Sequence, residues 1–469
     1  VKNIAMPIRK GAHALRVAAV FVDCMEERKP MNAVKWLGCA VLAVVLIGAA
    51  ALETVVAQSP AITTRKVPQF EVDPSFFKLP NGWKFAQVSS VACDLHDNVW
   101  VLQRPYTIYS DQKTGPSVME FDPKGNYIKG WGGKDWGAGK GFQWPEEEHG
   151  ISIDGNENVW ITGNWNDDQI YKFTNDGRLI KQFGNSEGGH KKTNSDTENF
   201  WMPAAAVVYP KTNELFVADG YGNNRVIVVD AETGAFKRMW GAFGNAPQDI
   251  PPRQKDIRKE TQGNDTRFGG AEQFRTQYFL DGGKEHPNQT VAGQPPYPKA
   301  PKLDPDDPGP PQFNLVHDLK ISKDGLVYVA DRRNMRVQIF TIDGKFLKSI
   351  FVDRWCADGC GGTNTQTAGS IGFSGDPEQR FLYVGSRTPA QIWVYDRKTM
   401  QPLYAFGRPG EAPGEFLSFH ELTNDSKGNI YTADLMGYRA EKFVFKGAVS
   451  RQVNSDGLVV DSKGLVLVR

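Results

Sequence analysis

Short runs of β-branched and aromatic residues recur along the chain, each preceded by a turn that carries Asp, Asn or Gly. The clearest copies are Asn98–Val101, Asn158–Ile161, Glu214–Val217, Leu326–Val329, Phe381–Val384 and Asn429–Thr432. Aligned on the aromatic residue, they place Trp100, Trp160, Phe216, Tyr328, Tyr383 and Tyr431 at intervals of 60, 56, 112, 55 and 48 residues. Similar runs flank each copy. In the second, residues 150–154, 158–162, 169–174 and 178–183 read as four strands, with Asn175–Gly177 as a turn. Runs this short, bounded by turn residues, fit strands and not helices. Four short antiparallel strands in a unit of about 45 residues is the pattern of a propeller blade. The chain is therefore expected to be all-β, a six-bladed propeller around a central channel. Phe70–Asp73, ahead of the first copy, is expected to supply the last blade's outer strand and close the ring.

The interval of 112 contains an insertion. Residues 245–312 are polar and rich in proline, with Pro295, Pro296, Pro298, Pro301, Pro305, Pro308, Pro310 and Pro311 in its second half. Proline cannot donate to a ladder, so this segment cannot be a central strand. It reads as a long surface excursion from a propeller spanning 58–447, and a loop of that length is functional or disordered. Residues 448–469 look strand-like but find no place in the six-fold pattern.

Composition adds exclusions. The 55 Lys and Arg against 54 Asp and Glu give no electrostatic case for nucleic acid or an anionic membrane surface. Aromatics at 11%, with 48 Gly and 12 Trp, exclude a disordered chain. Residues 1–30 carry no usable pattern and read as an upstream extension. Met31 is a second natural start; Lys35, the apolar run Trp36–Leu52, and Val55 and Ala57 then follow in the layout of a secretory signal peptide. Residues 31–57 are expected to be cleaved after Ala57 or kept as a membrane anchor, although the run is shorter than the ~20 residues of a spanning helix. Either way the protein is expected to be exported: periplasmic, secreted or membrane-anchored. Cys356 and Cys360 could then pair in an oxidising compartment, and Cys93 is expected to be a buried strand thiol. No Cys-x-x-Cys pair argues for a thiolate metal site.

Three of the seven histidines share one repeat position. His149, His317 and His420 each lie eleven residues before the aromatic anchor, in repeats two, four and six. Repeats one, three and five carry Ser89, Ala205 and Gly372 there. This position begins the strand that lines the channel, and alternate blades of a six-fold ring stand about 120° apart. Three imidazoles should therefore converge at one end of the channel, their nitrogens within about 3–4 Å of one another. Three neutral imidazoles with an open fourth position form a catalytic zinc arrangement. Arg104, Tyr221, Arg332 and Arg387 follow the second strands of blades one, three, four and five, at the same mouth. Arginines there could hold an anionic substrate, since guanidinium forks match carboxylates.

With these residues in place, the chain over about 68–446 resembles the peptidyl-α-hydroxyglycine α-amidating lyases, six-bladed propellers of the NHL-repeat type. The matching segments are Val91–Arg104, His149–Asp154, Asp219–Arg225, His317–Leu319, Ala330–Arg332 and His420–Leu422. The resemblance implies zinc on His149, His317 and His420, with Arg104, Tyr221 and Arg332 at the substrate. It also implies a calcium in the channel, on the Val91 and Ile151 carbonyls and Glu421. The family has Asp at that last position, a Met where this chain has Ser418, and usually Pro where it has Glu148. The implied reaction cleaves a C-terminal α-hydroxyglycine, in a small peptide or N-acyl substrate, into an amide and glyoxylate. Tyr221 is the candidate general base, and 245–312 a candidate protein-partner surface. Two other readings stay open: a non-catalytic propeller that binds proteins, and a calcium-dependent lactonase-type hydrolase, which would need carboxylates at the channel mouth.

Overall fold

The computed structural model describes residues 63–164, 167–186, 193–249, 307–352, 367–387, 390–454 and 456–461. These form six four-stranded antiparallel sheets and almost no helix. Five sheets run in simple chain order; the first is Gln87–Cys93, Val99–Arg104, Val118–Phe121 and Tyr127–Trp131. The first strand of every blade touches the first strands of both neighbours, and these contacts close on themselves around the ring. The fold is a six-bladed β-propeller. Ring closure comes from the sixth sheet, where Thr63–Asp73 pairs antiparallel with Arg439–Val453. That last strand runs on through residue 447, so 448–453 belongs to blade six, although the repeat pattern leaves it unplaced. Its extra length pairs with Thr63–Pro68.

The repeated turn has a physical basis. Asp94 accepts from the Asn98 amide and from the Trp100 indole at 3.0 Å. Asp154 does the same for Asn158 and Trp160, and Asp425 for Asn429 and Tyr431. One carboxylate thus ties the turn to the aromatic anchor six residues on. The residue before the Asn is left-handed: Asp97, Glu157 and Gly428 have φ of 64°, 61° and 85°. All six anchors are buried between blades, in clusters that each draw on two adjacent sheets.

The Ala-Asp step closing the second strand is also structural. Asp219, Asp331 and Asp434 are buried and pair with Arg225, Arg336 and Arg439 on the third strand of the same blade, at 2.9, 2.7 and 3.4 Å. Their free oxygens accept the backbone N–H of Trp201, Asn314 and Ser418, at the entry to the first strand. Arg336 also donates to the carbonyls of Pro308, Pro310 and Gln312. It thereby ties down one end of 245–312, while Asn194 binds Gln248 and Asp249 at the other. Residues 250–306 lie outside the described residues, as do Cys24, Cys39, Cys356, Cys360 and all of 1–62. Cys93 is half-buried at a strand end, more open than the expected buried thiol. Among the described residues, no helix is long and apolar enough to cross a membrane. Replacing Asp331 with alanine would leave the Arg336 charge buried and unpaired. We expect a loss of about 3–5 kcal/mol, read from urea midpoints; an unchanged midpoint would refute this role for the ion pair.

Candidate metal centre

Each channel-lining strand bearing a histidine is irregular at that histidine. The ladder slips between Glu148 and Gly150, between Val316 and Asp318, and between Phe419 and Glu421. His149, His317 and His420 are the residues left out of register. A bulge leaves its extra residue unpaired and re-aims the side chain, here into the channel. All three rings are buried, with centroids 4.8–5.1 Å apart. Their ligand nitrogens lie within 4.8 Å of one another, against the about 3–4 Å expected of ligands sharing one ion.

The intervening blades orient the rings. Nδ1 of His149, His317 and His420 meets the carbonyls of Ala204, Gly369 and Ser89 at 2.8, 2.7 and 2.5 Å. A carbonyl only accepts, so each Nδ1 carries the proton and each Nε2 lone pair faces inward. Such backbone acceptors behind a histidine fix the tautomer a metal ligand needs. Burial lowers all three pKa values, His149 to about 3; Arg104 and Arg332 add to this at His149, and a neighbouring imidazole with Arg332 adds to it at His317 and His420. The rings are therefore neutral. Nε2 of His317 is buried and meets no hydrogen-bond partner. An orphaned acceptor among three neutral imidazoles is a donor set that suits zinc.

The predicted mouth residues gather at the same place. The Tyr221 hydroxyl lies 3.0 Å from His149 Nε2 and accepts from Arg332 at 3.0 Å. Arg104 donates to the Glu148 carbonyl and pairs with Glu147 at 2.9 Å. Glu148 turns its own side chain away, accepting from Ser117 and Trp144. Burial and then the charge of Arg332 lower the Arg387 pKa to about 10; Arg104 adds a further repulsion. The mouth thus gathers three arginines, Arg104, Arg332 and Arg387, of which Arg104 is paired with Glu147. The bulges, the backbone carbonyls and Glu147 escaped the sequence reading. Only Glu147 has a side-chain signal, an acid placed two residues before a channel histidine.

Val91, Ile151 and Glu421 lie on the first strands of blades one, two and six. Glu421 is buried; Oε2 accepts from Ser90 at 2.6 Å and Oε1 has no partner. Burial, and then the Asp318 charge, raise its pKa to about 8. Lys320 reaches into the same cluster and donates to Asp318 at 3.2 Å. Burial opposes its charge, but Asp318 and then Glu421 outweigh that and its pKa is raised. This donor set fits calcium poorly: Glu421 is its single carboxyl, and Asp318, the second acid of this layer, already holds the Lys320 ammonium.

The NHL repeat matches residues 313–340, in blade four. The chain is 28% identical over 195 residues to the peptidylglycine alpha-amidating monooxygenase of Rattus norvegicus, covering 37% of this chain and 18% of that protein. It is 23% identical over 395 residues to the peptidyl-glycine alpha-amidating monooxygenase B of Xenopus laevis, covering 81% and 36%. The chain thus matches about a third or less of these relatives' length. Among solved structures, a virginiamycin B lyase from Staphylococcus aureus aligns at 10% identity and a TM-score of 0.39, over 84% of this chain and 89% of that one. A Bacteroides thetaiotaomicron protein of unknown function aligns at 11% and 0.42, over 81% and 77%. The chain is a six-bladed β-propeller that carries an NHL repeat and is distantly similar to the peptidylglycine alpha-amidating monooxygenases.

Proposed function

We propose that this protein is an exported zinc-dependent lyase that cleaves a C-terminal α-hydroxyglycine into an amide and glyoxylate. The observation that carries the reading is the convergence of three tautomer-fixed imidazoles beside Tyr221 and Arg332. His149, His317 and His420 would hold the zinc. When bound, it would polarise the substrate hydroxyl and lower its pKa.

The chain's own residues supply the rest. Cationic side chains at the mouth favour the substrate carboxylate, and the Arg332 fork can orient it beside Tyr221. Tyr221, entering as the phenolate beside the Arg332 guanidinium, would take the hydroxyl proton. As the C–O bond becomes a carbonyl, the C–N bond breaks and the nitrogen keeps the electron pair. That nitrogen needs one proton, so the group that removes a proton from oxygen can return it to nitrogen with no net change. A lactonase-type reading asks for a set of free carboxylates at the mouth, where Glu147 is held by Arg104.

The direct test is glyoxylate release from an N-acyl α-hydroxyglycine by the zinc-loaded protein. Release above the uncatalysed rate supports the reading; none, with zinc bound, removes it. Arg332→Ala should keep its zinc while kcat/KM falls by about 10- to 100-fold, the loss of a charged hydrogen bond. An unchanged kcat/KM would take Arg332 out of the substrate site.

A further inference from the structure

Immediately beyond the histidines, the channel holds a second polar layer. It is formed by the residues that follow each bulge: Ser90, Gly150, Asp318 and Glu421. Two of these are acids, both buried, contributed by blades four and six. Side chains alternate along a strand. Asp318 and Lys320 therefore share a face, while Leu319 between them packs into the core. At the step of Lys320, blades one, two and six carry Ala92, Ser152 and Thr423, all uncharged. Lys320 is the single cation offered to this layer by those four strands.

The oxygens there are mostly taken. Asp318 Oδ1 accepts from Lys320 at 3.2 Å, and Oδ2 from the Ile371 N–H at 2.8 Å. Glu421 Oε2 accepts from Ser90 at 2.6 Å, and Ser90 Oγ in turn accepts from the Ile151 N–H at 3.1 Å. Of these four carboxylate oxygens, only Glu421 Oε1 has no partner. Calcium takes 6–8 oxygens. To gain a second carboxylate here it would have to displace an ammonium and then share the channel with it.

We propose that the Lys320 ammonium is the channel's built-in cation: it pairs with Asp318 in the layer beneath the histidines that also holds Glu421, and the chain takes no calcium there. Lys320 is a positioning residue. It compensates the buried Asp318 charge beside the Glu421 carboxyl, below the metal ligands to which both acids are adjacent in sequence. The proposal stands on the carboxylates and the lysine alone, and holds whether or not the histidines bind zinc.

The test uses the full chain, with calcium binding followed by titration calorimetry and thermal unfolding followed in EGTA and in millimolar calcium. The wild type should take up no stoichiometric calcium and melt at the same temperature in both. Lys320→Ala should melt lower in EGTA and recover part of the loss on calcium addition; Lys320→Arg should stay close to wild type. One calcium bound per wild-type chain would overturn the proposal. So would a Lys320→Ala protein that melts like wild type. If Lys320→Ala does not fold, the wild-type titration alone decides. Zinc content measured on the same samples keeps this outcome separate from the lyase reading.

Discussion

Replacing His317 with alanine should abolish zinc retention and glyoxylate release together, while the propeller stays folded. The two losses coincide because the His317 Nε2, which meets no protein partner, is one of the three imidazole donors proposed for the ion. Two remaining imidazoles leave a tetrahedral ion half-coordinated by protein, and catalytic zinc sites use three protein ligands. The fold should survive because the blades are held by interblade cores and buried Asp–Arg pairs. Truncation frees one carbonyl, that of Gly369, at a cost of about 1–3 kcal/mol. His149→Ala and His420→Ala should behave alike. Zinc analysis, circular dichroism and the glyoxylate assay on each variant check this. Zinc that stays bound in any of them would count against a three-histidine site.

Tyr221→Phe should separate the functions that His317→Ala loses together. The variant keeps the ring against His149 and His317 but lacks the oxygen that lies between His149 and Arg332. Zinc content should remain that of the wild type, and kcat should fall by about 10²–10⁴, the usual worth of a positioned proton-transfer group. KM should change little, because the arginines proposed to meet the substrate carboxylate are untouched. A variant that turns over at the wild-type rate would remove Tyr221 from the chemistry and leave the proton to solvent.

How much of this was written in the sequence depends on which group does the work. The blade period is legible because Trp100, Trp160 and Tyr431 are side chains at fixed offsets from the turn aspartates that bind them. The three histidines are legible because only blades two, four and six carry them. What turns those histidines inward is not legible. A bulge is a slip of backbone register, and the carbonyls of Ser89, Ala204 and Gly369 are present whatever the side chain. Ala205 and Gly372 stand at the aligned offset, yet the carbonyls that bind come from one and three residues earlier. The Ala-Asp step is visible as a repeat, but its partners Arg225 and Arg336 are on the next strand, and only the pairing of strands brings them together. Lys320 is a single unrepeated charge, so a search for periodicity passes over it.

Zinc-edge X-ray absorption on the purified protein, with zinc content measured on the same sample, tests the central claim most directly. One zinc per chain is expected, with three imidazole nitrogens at about 2.0–2.1 Å and one non-protein oxygen, the signal vanishing in His317→Ala. A zinc bound by sulfur or by carboxylates, or full glyoxylate release from protein that holds no zinc, would contradict it.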